Sequence, residues 1–236
     1  MLLKWFDKRP VALLGMGFYK GALKEFSLGM LTGLIMAAVC TLILWLAGLA
    51  SFSFNGFSTD MFLYLIVCLI LLVISASYEE ILFRGYIFQS LLEGTNLWIT
   101  LGVFSLLFGA SHIDNGPTTV AFAVVAGVFL GLLYFKTRTL WVCIGFHFMW
   151  NFTEALIFGM GVEESGFLRK SLFSYRPLES DFIVGAEIMT LIIQGLFMIM
   201  LTLIIWKFKW LKPAEYNVKL WPRYPLKYGT EPSKID

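Results

Sequence analysis

Apolar residues fill this chain in long runs, and short polar clusters separate them. Each run is about 20 residues long. An α-helix of that length, rising about 1.5 Å per residue, crosses the roughly 30 Å hydrocarbon layer of a membrane. Six such segments can be drawn, over residues 26–50, 61–93, 97–112, 118–135, 140–159 and 183–206. A Ser/Asn/Gly loop at 51–60 separates the first two. Gly94, Thr95 and Asn96 form a turn, Asp114, Asn115, Gly116 and Pro117 a strong break, and residues 136–139 a tight basic turn. A charged loop covers 161–181. The pattern predicts an all-α fold: a polytopic transmembrane helical bundle of about six spans, with room for further short or re-entrant helices. Three regions follow: a basic segment with the first span (1–60), a membrane core (61–160), and a charged loop, last span and basic tail (161–236).

Composition makes the membrane reading firm. Of 236 residues, 58% are hydrophobic and 14% are charged, and mean hydropathy is +0.78. A soluble domain carries about 25% charged residues, so this chain could not cover a water-facing surface. The run after the basic first 25 residues exceeds a signal-peptide core of about 7–15 residues, so it reads as a retained span. Cys40, Cys68 and Cys143 lie far apart in apolar runs. They read as packing residues, not as a disulfide framework or metal ligands.

A formal net charge of +2 is too small to suggest nucleic acid as a partner, and none is expected. The placement of the basic residues is more informative. With the N-terminus inside, fourteen of the eighteen basic residues fall on one side, in the start, the turn with Lys136 and Arg138, and the tail from Lys207 on. Arg169, Lys170 and Arg176 fall on the other side. That bias predicts a multi-pass protein of the cell membrane with both termini cytoplasmic. Trp98, Trp141, Trp206 and Trp210 sit near span ends, as interfacial anchors do. Gly29/Gly33 and Gly127/Gly131 are small-x-x-x-small pairs. Such pairs mark close helix packing and also suit a dimer face, so a homo-oligomer is admitted.

Ionisable groups inside a span are costly and need a reason. The second span contains Glu79, Glu80 and Arg84. Glu80 and Arg84 are four apart and can pair on one face, whereas Glu79 points about 100° away. His112 closes the third span, four residues after Phe108. His147 and Asn151 share a face of the fifth. Glu79 lies 15 residues before Gly94 and His112 lies 15 after Leu97, so antiparallel helices put both about 23 Å from that turn. His147 is only 8 residues past Thr139, about 12 Å from its own turn. This mismatch would have to be absorbed by tilt or turn depth. Amide hydrolysis needs a base for water and a donor for the developing oxyanion. A desolvated glutamate, histidine and a neutral asparagine amide supply both. Alternatively, Glu79, His112 and His147 could hold Zn²⁺ or another divalent metal.

The motifs E-E-x-x-x-R (Glu79, Glu80, Arg84), F-x-x-x-H (Phe108, His112) and H-x-x-x-N (His147, Asn151) resemble those of the CPBP family. These are the CAAX-processing and bacteriocin-processing intramembrane endopeptidases, related to the type II CAAX prenyl protease. Phe83-Arg84-Gly85, Gly131-Leu132-Leu133-Tyr134 and Thr139-Leu140-Trp141 fit as well. The resemblance covers about 78–152. It implies a catalytic core at 61–160 and a peptide-cleaving site inside the bilayer. Glu79 would be the general base, assisted by His112. Glu80 would be a supporting carboxylate tied to Arg84, and His147 and Asn151 would stabilise the oxyanion. The family is labelled metallopeptidase, and a metal-free glutamate mechanism has also been argued for it. The metal-free version, with no cofactor, is preferred because base and donors are already present. The implied partner is a peptide or lipidated protein in the bilayer, either prenylated CAAX-type or bacteriocin-type. Glu154, three residues past Asn151, is a secondary candidate. Two other classes fit the same residues: a proton- or ion-coupled transporter, and a bacteriocin immunity protein that needs no catalysis.

Overall fold

Helix boundaries follow local chemistry. In the computed structural model, which describes residues 14–160, 170–178 and 186–207, the first helix α1 is Ala22–Leu46. Ser58 caps the second, its side chain accepting from the Met61 amide at 3.2 Å. That helix, α2, runs as one piece over Thr59–Gly94. At 1.5 Å per residue it is about 54 Å long. Within it, Ile81–Phe88 winds as a π-helix. Asn96 caps α3 (Leu97–Ala110), accepting from the amides of Trp98 and Ile99. A single 3₁₀ turn, Ile113–Asn115, leads to Pro117 at the start of α4 (Pro117–Thr137). The chain turns again at Arg138, which is left-handed at φ 55°. Helix α5 (Trp141–Asn151) passes into a second π-helical stretch at Phe152–Ile157, and α6 is Ala186–Lys207. Each of the six segments drawn from the apolar pattern is thus helical over most of its described residues. Four of these helices, α1, α2, α4 and α6, are long and apolar enough to cross a membrane, and α3 is a shorter apolar helix.

The two polar loops are not simply loops. Ala50–Phe54 (β1) and Phe173–Pro177 (β2) pair as antiparallel strands, with Ala50 opposite Pro177 and Phe54 opposite Phe173. The alternating Ser/Phe text of β1 suits a strand. Aromatic pairs across it, Phe52–Tyr175 and Phe54–Phe173, lie 5.7 and 5.4 Å apart. Helix α1 leads into β1 and β2 precedes α6, so the sheet joins the first and last helices at one end of the bundle. Lys4, Lys8, Arg9, Arg169, Trp210 and the basic tail from Lys209 to Lys234 lie outside the described residues, as does part of the 161–181 loop.

Packing does not follow chain order. Helix α1 packs most extensively on α5, while α3 and α6 both pack on α4. The α1–α5 contact depends on glycine. A Cβ on Gly145 would stand 2.2 Å from the Phe26 carbonyl oxygen, and one on Gly29 would stand 2.1 Å from that of Val142. The Gly29/Gly33 pair therefore serves packing within the chain rather than a dimer face. Close approach of backbones is what small residues provide in a membrane, where burial from water supplies no drive between helices. The three cysteines are buried and unpaired. Many large apolar side chains face outward instead, among them Leu31, Ile35, Phe62, Ile70, Ile74, Leu106, Leu196 and Leu203. That inversion is the signature of a lipid-facing surface.

Gly145→Ala is expected to destabilise the protein by about 1–3 kcal/mol through overpacking, read as a lower unfolding midpoint in detergent. Gly102→Ala, where a Cβ meets nothing within 4 Å, should leave the midpoint unchanged or raise it.

Candidate active site

Three helices bring the charged motif together. Glu80 and Arg84 are fully buried and bonded, Arg84 Nη1 donating to Glu80 Oε1 at 2.7 Å. Their i, i+4 spacing on α2 makes that pair almost inevitable. The same carboxylate oxygen takes His147 Nδ1 of α5 at 2.8 Å. An oxygen already accepting from a guanidinium can only accept again. The network therefore assigns the proton to Nδ1 of His147, and Nε2 is turned toward Glu79. It stands 3.9 Å from Glu79 Oε2, too far for a direct hydrogen bond and suited to one bridging molecule. His147 and Glu79 keep 11% and 27% of their side chains exposed. Glu79 Oε2 is itself buried and accepts no hydrogen bond among the described residues.

The underside of Arg84 is aromatic. Its Cζ lies 4.1 Å from the ring centre of Phe108 and 5.2 Å from that of Phe104, both on α3. A desolvated guanidinium is held well by such faces. Phe104 was not singled out in the sequence, although it stands one turn before Phe108 on the same face and could have been found that way. His112 is attached to this layer. Its ring meets Phe108 at 4.9 Å, and its Nδ1 lies 2.9 Å from the Phe108 carbonyl oxygen. A carbonyl only accepts, so Nδ1 donates there and Nε2 carries the lone pair. Among the described residues, His112 forms no hydrogen bond or ion pair with either glutamate. Asn151 is half-buried, one turn past His147, where α5 passes into its π-helical stretch.

The depth mismatch foreseen for His147 is resolved by the level of its turn. A Cβ on Gly85 would lie 3.4 Å from Leu140 Cδ1, so the second turn rests beside Gly85, not beside Gly94. Gly85 is 9 residues before Gly94 and His147 is 7 beyond Leu140. Those steps add to about 24 Å, against about 23 Å for Glu79. The space below the raised turn is filled by the segment before α1. Leu140 N donates to Gly15 O at 3.0 Å, and the Tyr134 hydroxyl donates to Leu14 O at 3.0 Å while accepting from Gln89. Exposed apolar side chains lie on both sides of the site's level, from Phe62 to Ile74 on α2 and from Trp98 to Leu107 on α3. The site therefore lies at the level of the outward-facing apolar surface. Both π-helical stretches adjoin it, one directly after Glu80 and one directly after Asn151. Such widened turns are frequent at functional sites.

Residues 61–153 match the family model of the type II CAAX prenyl endopeptidase Rce1-like proteins. The membrane core of this chain is thus similar to that of the CPBP-type endopeptidases. Over 79 residues the chain is 34% identical to "Putative membrane peptidase YdiL" of Bacillus subtilis (strain 168). That stretch covers 34% of this chain and 32% of the relative, so the match spans about a third of the relative's length. No solved structure matches the chain. All the CPBP motif residues lie within the matched segment.

No three His, Cys, Asp or Glu side chains gather as a ligand set among the described residues. His147 donates Nδ1 to Glu80 and keeps Nε2 open toward Glu79, and His112 forms no bond with either glutamate among the described residues. Glu154, the secondary candidate, has a partner that the sequence did not suggest: it accepts a hydrogen bond from Gln194 of α6. No sequence spacing links those two positions.

Arg84→Ala leaves the Glu80 carboxylate buried without its cation. The expected cost is about 3–5 kcal/mol, measured as a lowered midpoint of detergent-resistant folding. The double change Glu80→Leu with Arg84→Leu should recover most of that loss.

Proposed function

We propose that this protein is an intramembrane endopeptidase in which Glu79 activates the water that attacks a peptide carbonyl. The observation that carries this reading is the placing of His147 Nε2 opposite Glu79 Oε2, with His147 held from behind by Glu80 and Arg84. A water bridging that gap would give its proton to Glu79. The hydroxide would add to the scissile carbonyl carbon, and the oxyanion would be met by the Asn151 amide and by His147. His147 enters the cycle protonated at both nitrogens, so that Nε2 can donate to the oxyanion, and Glu80 stabilises this imidazolium by accepting from Nδ1. Glu79 then returns the proton to the leaving amine as the carbon–nitrogen bond breaks. His112, on the Phe108 side, offers Nε2 to orient the water or the substrate. Each step uses groups of this chain alone, without a metal.

The substrate is a membrane-associated peptide, of prenylated CAAX or bacteriocin type. It is cleaved from the cytoplasmic side, where both termini lie under the positive-inside bias.

The test is cleavage of a membrane-associated peptide by the purified protein in detergent or lipid. Glu79→Ala and His147→Ala are each expected to lower kcat by about 10²–10⁴-fold. Asn151→Ala should lower it by about 10²–10³-fold, as for loss of one oxyanion donor. Full activity in both Glu79→Ala and His112→Ala would sink the site assignment. Proteoliposome ion flux that depends on Glu79, with no cleavage, would favour a transporter instead. Chelation is expected to leave activity unchanged, and loss that Zn²⁺ restores would overturn the metal-free mechanism.

A further inference from the structure

The opposite end of the bundle from the sheet carries a feature that catalysis does not use. Trp98 opens α3 and Trp206 nearly closes α6. Their rings lie 5.4 Å apart, tilted by 52°. The Lys136 ammonium of α4 sits 4.8 Å above the Trp206 ring. Three helices thus contribute one side chain each to a single cluster. It is open to the surroundings, with Trp98 65% and Trp206 40% exposed. On the same helix, an apolar depression lined by Leu196, Ile199, Met200, Leu203 and Ile204 runs along α6 and ends at Lys207, the residue after Trp206. From Leu196 to Lys207 is 11 residues, about 17 Å. The described basic residues of this end are Lys20, Lys24, Lys136, Arg138 and Lys207, against the acidic Glu25 and Glu93.

We infer that this cluster is a binding site for an anionic phospholipid. The headgroup phosphate meets Lys136 and the indole edges of Trp98 and Trp206, and one acyl chain lies in the depression on α6. Tryptophan suits that level because its ring is apolar and its N–H can donate. The ammonium over Trp206 keeps its outward N–H donors for phosphate while the ring holds it in place. Juxtamembrane lysines attract anionic headgroups by about 1 kcal/mol each. The apolar depression beside the cationic end is what distinguishes a lipid from a free anion, since it has no use for inorganic phosphate.

The full chain, purified in detergent, is titrated with phosphatidylglycerol and with phosphatidylcholine. Bound lipid is read by native mass spectrometry, and stability by the unfolding midpoint. Phosphatidylglycerol is expected to bind and raise the midpoint, and phosphatidylcholine to do neither. Lys136→Gln should weaken phosphatidylglycerol binding about fivefold. Lys136→Arg and Trp206→Phe should retain most of it, and Lys20→Gln should leave it unchanged. Binding by Lys136→Gln as tight as that of the unaltered protein would overturn the inference. So would equal binding of the zwitterionic lipid. Competition by glycerol phosphate as effective as that by the whole lipid would reduce the cluster to a simple anion site and equally overturn it.

Discussion

A guanidinium and a carboxylate buried inside a hydrocarbon-facing bundle have to satisfy one another. The Arg84–Glu80 pair does this, and much of the rest is arranged around it. Neither group can be left alone at low dielectric. Arg84 is further screened by the rings of Phe104 and Phe108, which ties α3 to α2. Glu80 accepts from His147, which ties α5 to α2. One ion pair therefore fixes the relation of three helices and, through His147, the atom that faces Glu79.

The two adjacent glutamates have different environments for a geometric reason. Successive residues on a helix point about 100° apart. Glu80 looks into the bundle and is fully buried, while Glu79 looks along its edge and stays partly exposed. The proposed division between a positioning carboxylate and a reactive one follows from that rotation. Neighbouring glycines make it workable. Gly29 and Gly145 let α1 and α5 touch backbone to backbone, which seats α5 close enough for His147 to reach α2. Gly85 admits Leu14 and Leu140 to the flank of α2, which sets the level of the turn before α5.

Much of this was legible in the chain text. Membrane residence, six helical segments, their turns and the charged triad of α2 follow from apolar run length, turn residues and the cost of charge in hydrocarbon. These are local properties, and the i, i+4 pairs Glu80/Arg84 and His147/Asn151 belong with them. The three motifs were also sufficient to reveal the family resemblance. What text did not show was long-range. Pairing of β1 with β2 joins residues more than a hundred positions apart, and the Glu154–Gln194 bond joins helices with no shared pattern. The depth of His147 could not be read either, because a turn's distance from its own helix says nothing of its level beside another.

Sequence by itself determined that this chain lives in a bilayer, which residues are too costly there to be passive, and which of them share a helical face. Only the tertiary structure decided that His147, rather than His112, stands opposite Glu79, that Glu80 holds it there, and that His112 joins the group through Phe108. The physical reason is that helix periodicity acts over a few residues. The register between helices is set by side chains packing against distant neighbours, here by glycine contacts, a raised turn and one buried ion pair.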